Sequence, residues 1–316
     1  MQENMNYSKV GIDFIYEKSV SFLSNLLQFF MYVVNFKNRI HKIFSTRKFL
    51  TQPAKFPKGF SKNLHISSLK IAERNLYIIN RKESKSPKVI FYIHGGAYIS
   101  NIISQHWDLI KILAEHTSAT FIVPDYPLAP FSTFTETYKM VEKAYKHILT
   151  TTAPQNIIFM GDSAGAGLAL GLAQKLQKEN SPQPEQIILL SPWLDITMAN
   201  PDILSIEKQD NMLSKSGLIK AGQAYAGSSE PTNYLLSPIY GDFKGLGKIS
   251  LFIGTNDLFI CDSRKFKRMM NEQNISFNYF EYPKMFHVFM AVTMLKEAKD
   301  AIKHIINLIL SSQNEN

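Results

Sequence analysis

Cysteine is almost missing from this 316-residue chain. The one thiol, Cys261, allows no internal disulfide, so burial and hydrogen bonding must hold the fold, and a reducing cytoplasm suits it. Internal repeats and low-complexity segments are also missing, which excludes solenoids and arrays. No spacing of His, Cys, Asp or Glu reads as a metal site, and His94 lacks a partner for zinc, so no metal is expected. One stretch, Ser19–Phe36, runs 18 residues without a charge, close to the length of a membrane span. It carries Ser19, Ser21, Ser24, Asn25, Gln28 and Asn35, however, and Leu23, Leu26, Leu27, Phe30, Val33 and Val34 recur at helical spacing. An amphipathic helix is predicted, more cap than span. Its upstream flank (Glu3, Lys9, Asp13, Glu17, Lys18) is not basic and no small-residue cleavage site follows, which argues against a signal peptide.

Acidic residues are scarce at the amino end. Residues 1–90 hold 16 Lys/Arg against 5 Asp/Glu, whereas the remainder holds 19 against 21. The net charge of +9 therefore belongs to the first segment, much of it after the apolar helix at Lys37, Arg39, Lys42, Arg47, Lys48, Lys55, Lys58 and Lys62. Two readings stand: a solvated basic face, or peripheral contact with anionic membrane in which helix and basic residues act together. Nucleic acid is not an expected partner, because the basic residues are not interleaved with a stacking platform and no recognition fold is legible.

What is present is a set of buried-strand runs that end in chemically pointed residues. Asn156–Met160 is a short apolar run followed by Gly161-Asp162-Ser163-Ala164-Gly165, and Ala164–Gln177 reads as a helix of small residues. A serine at such a strand-to-helix corner sits in a tight turn with its hydroxyl projecting from the carboxyl edge of the sheet. Upstream, Val89–Ile93 empties into His94-Gly95-Gly96-Ala97-Tyr98. Acyl transfer needs backbone N–H donors aimed at a developing oxyanion. The candidate donors are Gly95, Gly96 and Ala97, with Ala164 at the positive end of the elbow helix.

Downstream, Ile249–Ile253 leads to Asp257, and Ser276–Phe280 leads to His287. The chain order Ser163…Asp257…His287, each just past a strand end, suits a nucleophile, an orienting acid and a general base. Asp262 is the rival acid, better placed for the first turn of the next helix, where Asp caps for reasons unrelated to catalysis. Among the other histidines, His41, His65, His116, His147 and His304 lack strand-end placement, and His106 reads as a loop or helix-start residue near the pocket. Leu69–Asn80, Lys88–Ile93, Thr120–Val123 and Gln186–Leu190 complete the expected strands. Helices are expected around Trp107–Glu115, Thr135–Leu149, Ser214–Tyr225 and Met294–Leu310. Strand–helix alternation of this kind predicts an α/β fold with a mostly parallel sheet covered on both faces.

Taken with Asp125-Tyr126-Pro127-Leu128-Ala129-Pro130, Ser191-Pro192-Trp193-Leu194-Asp195 and Ser237-Pro238-Ile239-Tyr240, these motifs resemble the hormone-sensitive-lipase-like branch of the α/β-hydrolases. The resemblance covers roughly residues 65–310. It implies an α/β-hydrolase fold, the triad Ser163, Asp257 and His287, and an oxyanion hole from Gly96, Ala97 and Ala164. It also implies a helical cap built from residues 1–60 and an insertion at about 200–235 of the catalytic domain 61–316. Candidates for lining the pocket beneath that cap are Phe22, Leu26, Phe29, Phe30, Tyr98 and Tyr225, with plain packing as the alternative. The implied activity is cofactor-free hydrolysis of small-molecule esters of short to medium acyl chains. Deacetylation of sugars or small amides is the alternative within enzymes, and a non-catalytic ligand receptor the alternative outside them. Three departures stand out. Ala97 replaces the last glycine of the HGGG motif and narrows the floor beside the acyl carbon. Asp262-Ser263 stands where the family has Asp-Glu, and Pro130-Phe131 where it has Pro-Glu. Oligomeric state is left open.

Overall fold

A computed structural model describes residues 6–8, 11–83 and 86–311. Glu3 and Lys9 of the flank discussed above lie outside them. Ten strands form one sheet: β1 (Asn6–Ser8), β2 (Gly11–Ile15), β3 (Leu64–Ile71), β4 (Arg74–Arg81), β5 (Val89–Ile93), β6 (Thr120–Pro124), β7 (Ile157–Asp162), β8 (Gln186–Leu190), β9 (Lys248–Gly254) and β10 (Phe277–Tyr282). Their order is β1-β2-β10-β9-β8-β7-β5-β6-β4-β3, with every pairing from β2 through β6 parallel and only the two margins antiparallel.

The central strands are buried on both faces, which is why they read as continuous apolar runs. Phe91, Phe159 and Leu189 face one core, shared with the helices Phe134–Leu149 and Ala164–Lys178. Ile90, Tyr92, Ile158, Met160 and Ile188 face the other. That second core is completed by Trp107 from the helix Ser104–Thr117 and Ile305 from the carboxyl-terminal helix Lys296–Ser311.

Three expectations change. The single strand Leu69–Asn80 is a hairpin, β3 and β4, whose two-residue turn, Ala72-Glu73, has φ of 48° and 62°. Such turns usually announce themselves with Asn-Gly or Gly. Residues 1–60, expected wholly in a helical cap, also enter the sheet, because β2 pairs parallel with β10 and Lys267 holds Asp13 at 2.7 Å. The predicted amphipathic helix forms at Phe22–Val33, capped by Ser21, but it lies the other way round: Ser24, Gln28 and Met31 are buried, while Phe22, Leu26, Phe29 and Phe30 face solvent. No helix of the described residues is long and apolar enough to cross a membrane.

A second short helix, Arg39–Thr46, packs on the insertion helix Lys215–Ala226. Gly217 permits the approach, since a Cβ there would lie 3.2 Å from Ile40 Cβ. His41 Nε2 meets Ser216 Oγ at 2.8 Å. The amino-terminal segment and the insertion thus touch each other.

Candidate active site

Ser163 stands between the end of β7 and the first residue of the Ala164–Lys178 helix, with φ 53° and ψ −121°. A non-glycine residue in such a conformation costs roughly 1–3 kcal/mol and persists only where neighbours impose it. Here Ser163 N–H donates to Leu190 O at 2.8 Å, and Ser163 O accepts from Trp193 N–H at 3.0 Å and Gly167 N–H at 3.2 Å. Close packing does the rest: a Cβ on Gly165 would sit 2.0 Å from Ile93 O. The elbow glycine is needed for that contact rather than for its own φ.

Loops after β9 and β10 bring the acid and base together. Asp257 Oδ2 lies 2.9 Å from His287 Nδ1, and both side chains are buried. Asp257 Oδ1 accepts Phe259 N–H at 3.0 Å, which fixes the carboxylate plane. With Nδ1–H given to the acid, Nε2 is left as the basic nitrogen. Ser191 Oγ accepts Val288 N–H at 3.0 Å, and Asn256 N–H donates to Met285 O at 2.9 Å, so the two loops are laced together. The Ser163 hydroxyl itself makes no hydrogen bond among the described residues. Its candidacy as nucleophile rests on the elbow. Burial pulls the His287 pKa down, but the charge and hydrogen bond of Asp257, helped by Asp210 and Asp162, outweigh it and leave the imidazole above its ordinary value.

Asp210 was invisible to sequence reasoning. It lies in the insertion, wholly buried, and accepts Met212 N–H (2.7 Å) and Leu213 N–H (2.8 Å) on one oxygen and Leu258 N–H (2.9 Å) on the other. Leu258 directly follows Asp257, so this carboxylate ties the insertion to the acid loop. Burial, then the charge of Asp257, pushes Asp210 up to about 6. No motif announces an acid whose partners are backbone amides of a distant loop.

The oxyanion loop departs from expectation at one residue. Gly95 N–H donates to Asp162 Oδ1 at 3.0 Å, so it is occupied and drops out of the donor set. Among the described residues no protein acceptor takes the N–H of Gly96, Ala97 or Ala164. Gly96, Ala97 and Tyr98 all have positive φ (116°, 54° and 62°), a run of left-handed residues that curls the loop. Ala97 therefore adopts the left-handed conformation despite its Cβ.

Asp162 anchors this loop from below. Besides Gly95, it accepts Tyr92 Oη–H at 2.8 Å and His106 Nε2 at 3.1 Å. His106 Nδ1 accepts Ile103 N–H at 3.0 Å, which fixes Nε2 as the protonated nitrogen. Burial raises the Asp162 carboxyl, but His106 and Tyr92 more than compensate and hold it below the ordinary carboxylate range. Sequence placed His106 near a pocket without finding its partner.

The pocket candidates fare differently. Tyr98 and Tyr225 are fully buried and stacked at 3.7 Å between ring centroids, with Trp193 on the other side of Tyr98. Their stacking packs against the loop that carries Gly96 and Ala97. Phe29 and Phe30, like Phe22 and Leu26, are largely exposed to solvent. Asp262, the rival acid, is buried in the first turn of the helix Ile260–Glu272, bonded to Asn200 Nδ2 at 2.8 Å and away from His287. Cys261 is buried beside it, and burial pushes its thiol up to about 11.

A parallel sheet with a strained serine elbow, a free amide cluster and a buried Asp–His pair at one edge defines an α/β-hydrolase. The model of the α/β-hydrolase fold family matches residues 90–291, and the chain belongs to that family. It is 30% identical over 234 residues to an esterase of Acinetobacter venetianus, covering 73% of this chain and 77% of that one. An acetyl-hydrolase of Streptomyces hygroscopicus is 26% identical over 209 residues, covering 66% and 70%. A homologue of hormone-sensitive lipase from a metagenome library superposes with a TM-score of 0.80 over 93% of this chain and 99% of that one, at 23% identity, which bears on the fold alone.

Proposed function

We propose that the chain is a serine hydrolase acting on carboxylic esters of short to medium acyl chains, with Ser163, Asp257 and His287 as its triad. Ser163 Oγ attacks the ester carbonyl while His287 Nε2 takes its proton, and Asp257 holds the imidazolium that results. The tetrahedral oxyanion receives N–H groups from Gly96, Ala97 and Ala164. His287 then protonates the departing alkoxide, and water deprotonated by the same imidazole releases the acid from the acyl-enzyme. The observation that carries this reading is the buried His287–Asp257 pair at 2.9 Å, which leaves Nε2 as base on the edge that bears the serine elbow.

Residues 1–60 and about 200–235 are proposed as the cap over the catalytic domain 61–316, and contact of Arg39–Thr46 with Lys215–Ala226 supports that division. The cap limits acyl length. The single cysteine favours a cytoplasmic location, and the basic amino-terminal segment favours peripheral contact with anionic membrane. Removal of acetyl groups from sugars is the second reading, favoured by the acetyl-hydrolase relative. A fluorophosphonate probe should label the protein and fail to label Ser163→Ala. Absence of labelling in the unmodified protein would refute the mechanism. Rates on 4-nitrophenyl butyrate against acetylated sugars separate the two substrate classes.

A further inference from the structure

The helix Phe22–Val33 is bound to the body by its polar side. Ser24 Oγ and Ser21 Oγ donate to Glu297 Oε2 at 2.8 and 3.0 Å. Gln28 Oε1 accepts Asn256 Nδ2 at 3.1 Å, and Gln28 O accepts Asn211 Nδ2 at 3.3 Å. Ser24 and Glu297 are fully buried. Turning the helix over to hide its apolar side would strand that carboxylate without donors, so the inverted orientation is fixed by chemistry. Buried Ser24, Gln28 and Met31 lie on one face, and Phe22, Leu26, Phe29, Phe30 and Val33 form a stripe on the opposite one. The stripe is open to solvent: Phe22 is 81% exposed, Phe29 63%, Phe30 59% and Val33 61%. Scattered apolar residues on a surface are ordinary, but a continuous aromatic stripe on a helix held by polar contacts calls for a partner.

Charge identifies the partner. No acidic residue occurs between Glu17 and Glu73. Lys42, Arg47, Lys48, Lys55, Lys58 and Lys62 are exposed, and none pairs with a carboxylate among the described residues. An amphipathic helix with an aromatic face, followed at once by unpaired cations, has the chemistry of an interfacial element on anionic lipid. Its position gives the contact a use. Gln28 bonds to Asn256, the neighbour of Asp257, so the helix lies beside the acid loop at the edge of the sheet that carries the candidate site.

We infer that the outward stripe of Phe22–Val33, with the acid-free basic segment behind it, docks on an anionic bilayer and presents the site to acyl esters held in that bilayer. The ester part of this inference rests on the hydrolase reading above; the docking does not. The basic residues attract the protein over a Debye length of about 8 Å at physiological salt, and the aromatic stripe then enters the headgroup boundary.

Co-sedimentation of the full chain with vesicles of phosphatidylcholine, with and without phosphatidylglycerol, tests it. Binding should require phosphatidylglycerol and weaken as salt rises. Phe22→Ser combined with Val33→Ser should bind the anionic vesicles at least about tenfold more weakly. That variant should hydrolyse soluble 4-nitrophenyl butyrate at the unmodified rate, yet act more slowly on an ester carried in the vesicles. Three results would overturn the proposal: no binding to anionic vesicles, equal binding by the double variant, or a dimer in analytical ultracentrifugation that the double variant abolishes, which would make a second copy the occupant. Vesicle binding that persists without any ester hydrolysis would refute the hydrolase reading and the ester supply, and leave the docking surface standing.

Discussion

Replacing Asp162 by Asn changes one atom's chemistry beneath the oxyanion loop, and the structure says what should follow. The Asn carbonyl can still accept Gly95 N–H and Tyr92 Oη–H, which share Oδ1 at 3.0 and 2.8 Å. The new amide then stands where Oδ2 met His106 Nε2 at 3.1 Å, donor against donor. His106 cannot simply shift its proton, because Nδ1 is already accepting Ile103 N–H at 3.0 Å. A hydrogen bond to a buried charged group is lost, worth about 1.5–3 kcal/mol, and a buried donor is left without an acceptor at about 1–3 kcal/mol more. A total of about 3 kcal/mol, set against an unfolding entropy of about 2.1 cal/mol/K per residue over 316 residues, corresponds to a fall in Tm of roughly 4–5 °C. Because Gly95 hangs from the same side chain, kcat on 4-nitrophenyl butyrate should fall about ten- to hundredfold with little change in KM. Thermal unfolding followed by circular dichroism, with steady-state kinetics, reads both effects. The sharper check is a double-mutant cycle with His106→Ala, which removes the opposing donor. Asp162→Asn should cost less in that background, with a coupling of about 1 kcal/mol or more. Strict additivity, or an Asp162→Asn protein that melts and turns over normally, would show that the Asp162–His106 contact does not anchor the loop.

The remaining expectations concern neighbouring groups. Asp210→Asn removes one of the charges that hold the His287 pKa up, so the acid limb of kcat/KM should move to lower pH; an unmoved or upward-shifted limb refutes the coupling. The same variant tests a stability slope. A buried acid raised to about 6 binds its proton more tightly in the folded state, so its contribution is greatest below the ordinary carboxylate range and is withdrawn as pH climbs through about 6. Tm measured across that window should flatten in Asp210→Asn. Ala97→Gly relieves a residue at φ 54° and opens the floor beside the acyl carbon, so esters of bulky alcohols should gain in kcat/KM relative to butyrate esters, and an unchanged ratio counts against the steric argument. Glu297→Ala strands Ser21 and Ser24, so cleavage by limited proteolysis near residues 19–36 should speed up while the Tm of the sheet domain changes little.

Much of the candidate site was legible because its residues follow closely on buried strands. Ser163, Asp257 and His287 stand just past β7, β9 and β10, and in a parallel sheet those ends share one margin. Local patterns therefore implied long-range proximity. The hairpin at Ala72-Glu73 escaped notice because its turn lacks the residues that usually mark one, and β2 because five residues of mixed polarity carry too little periodicity to register.

The chain's order of residues marked the central strands and the elbow and named a candidate acid and base, since strand burial and turn sterics act over a few neighbours at a time. Folding in three dimensions decided the rest. Gly95 lost its free amide to Asp162, and Asp210 arrived from the insertion to hold the acid loop. The direction in which Phe22–Val33 faces was settled there too. Its periodicity names two faces but not which one is hidden, and the buried carboxylate of Glu297, far along the chain, claims the polar one. Hydrogen-bond partners of buried polar groups are supplied by whatever packs against them, and a one-dimensional pattern does not contain that.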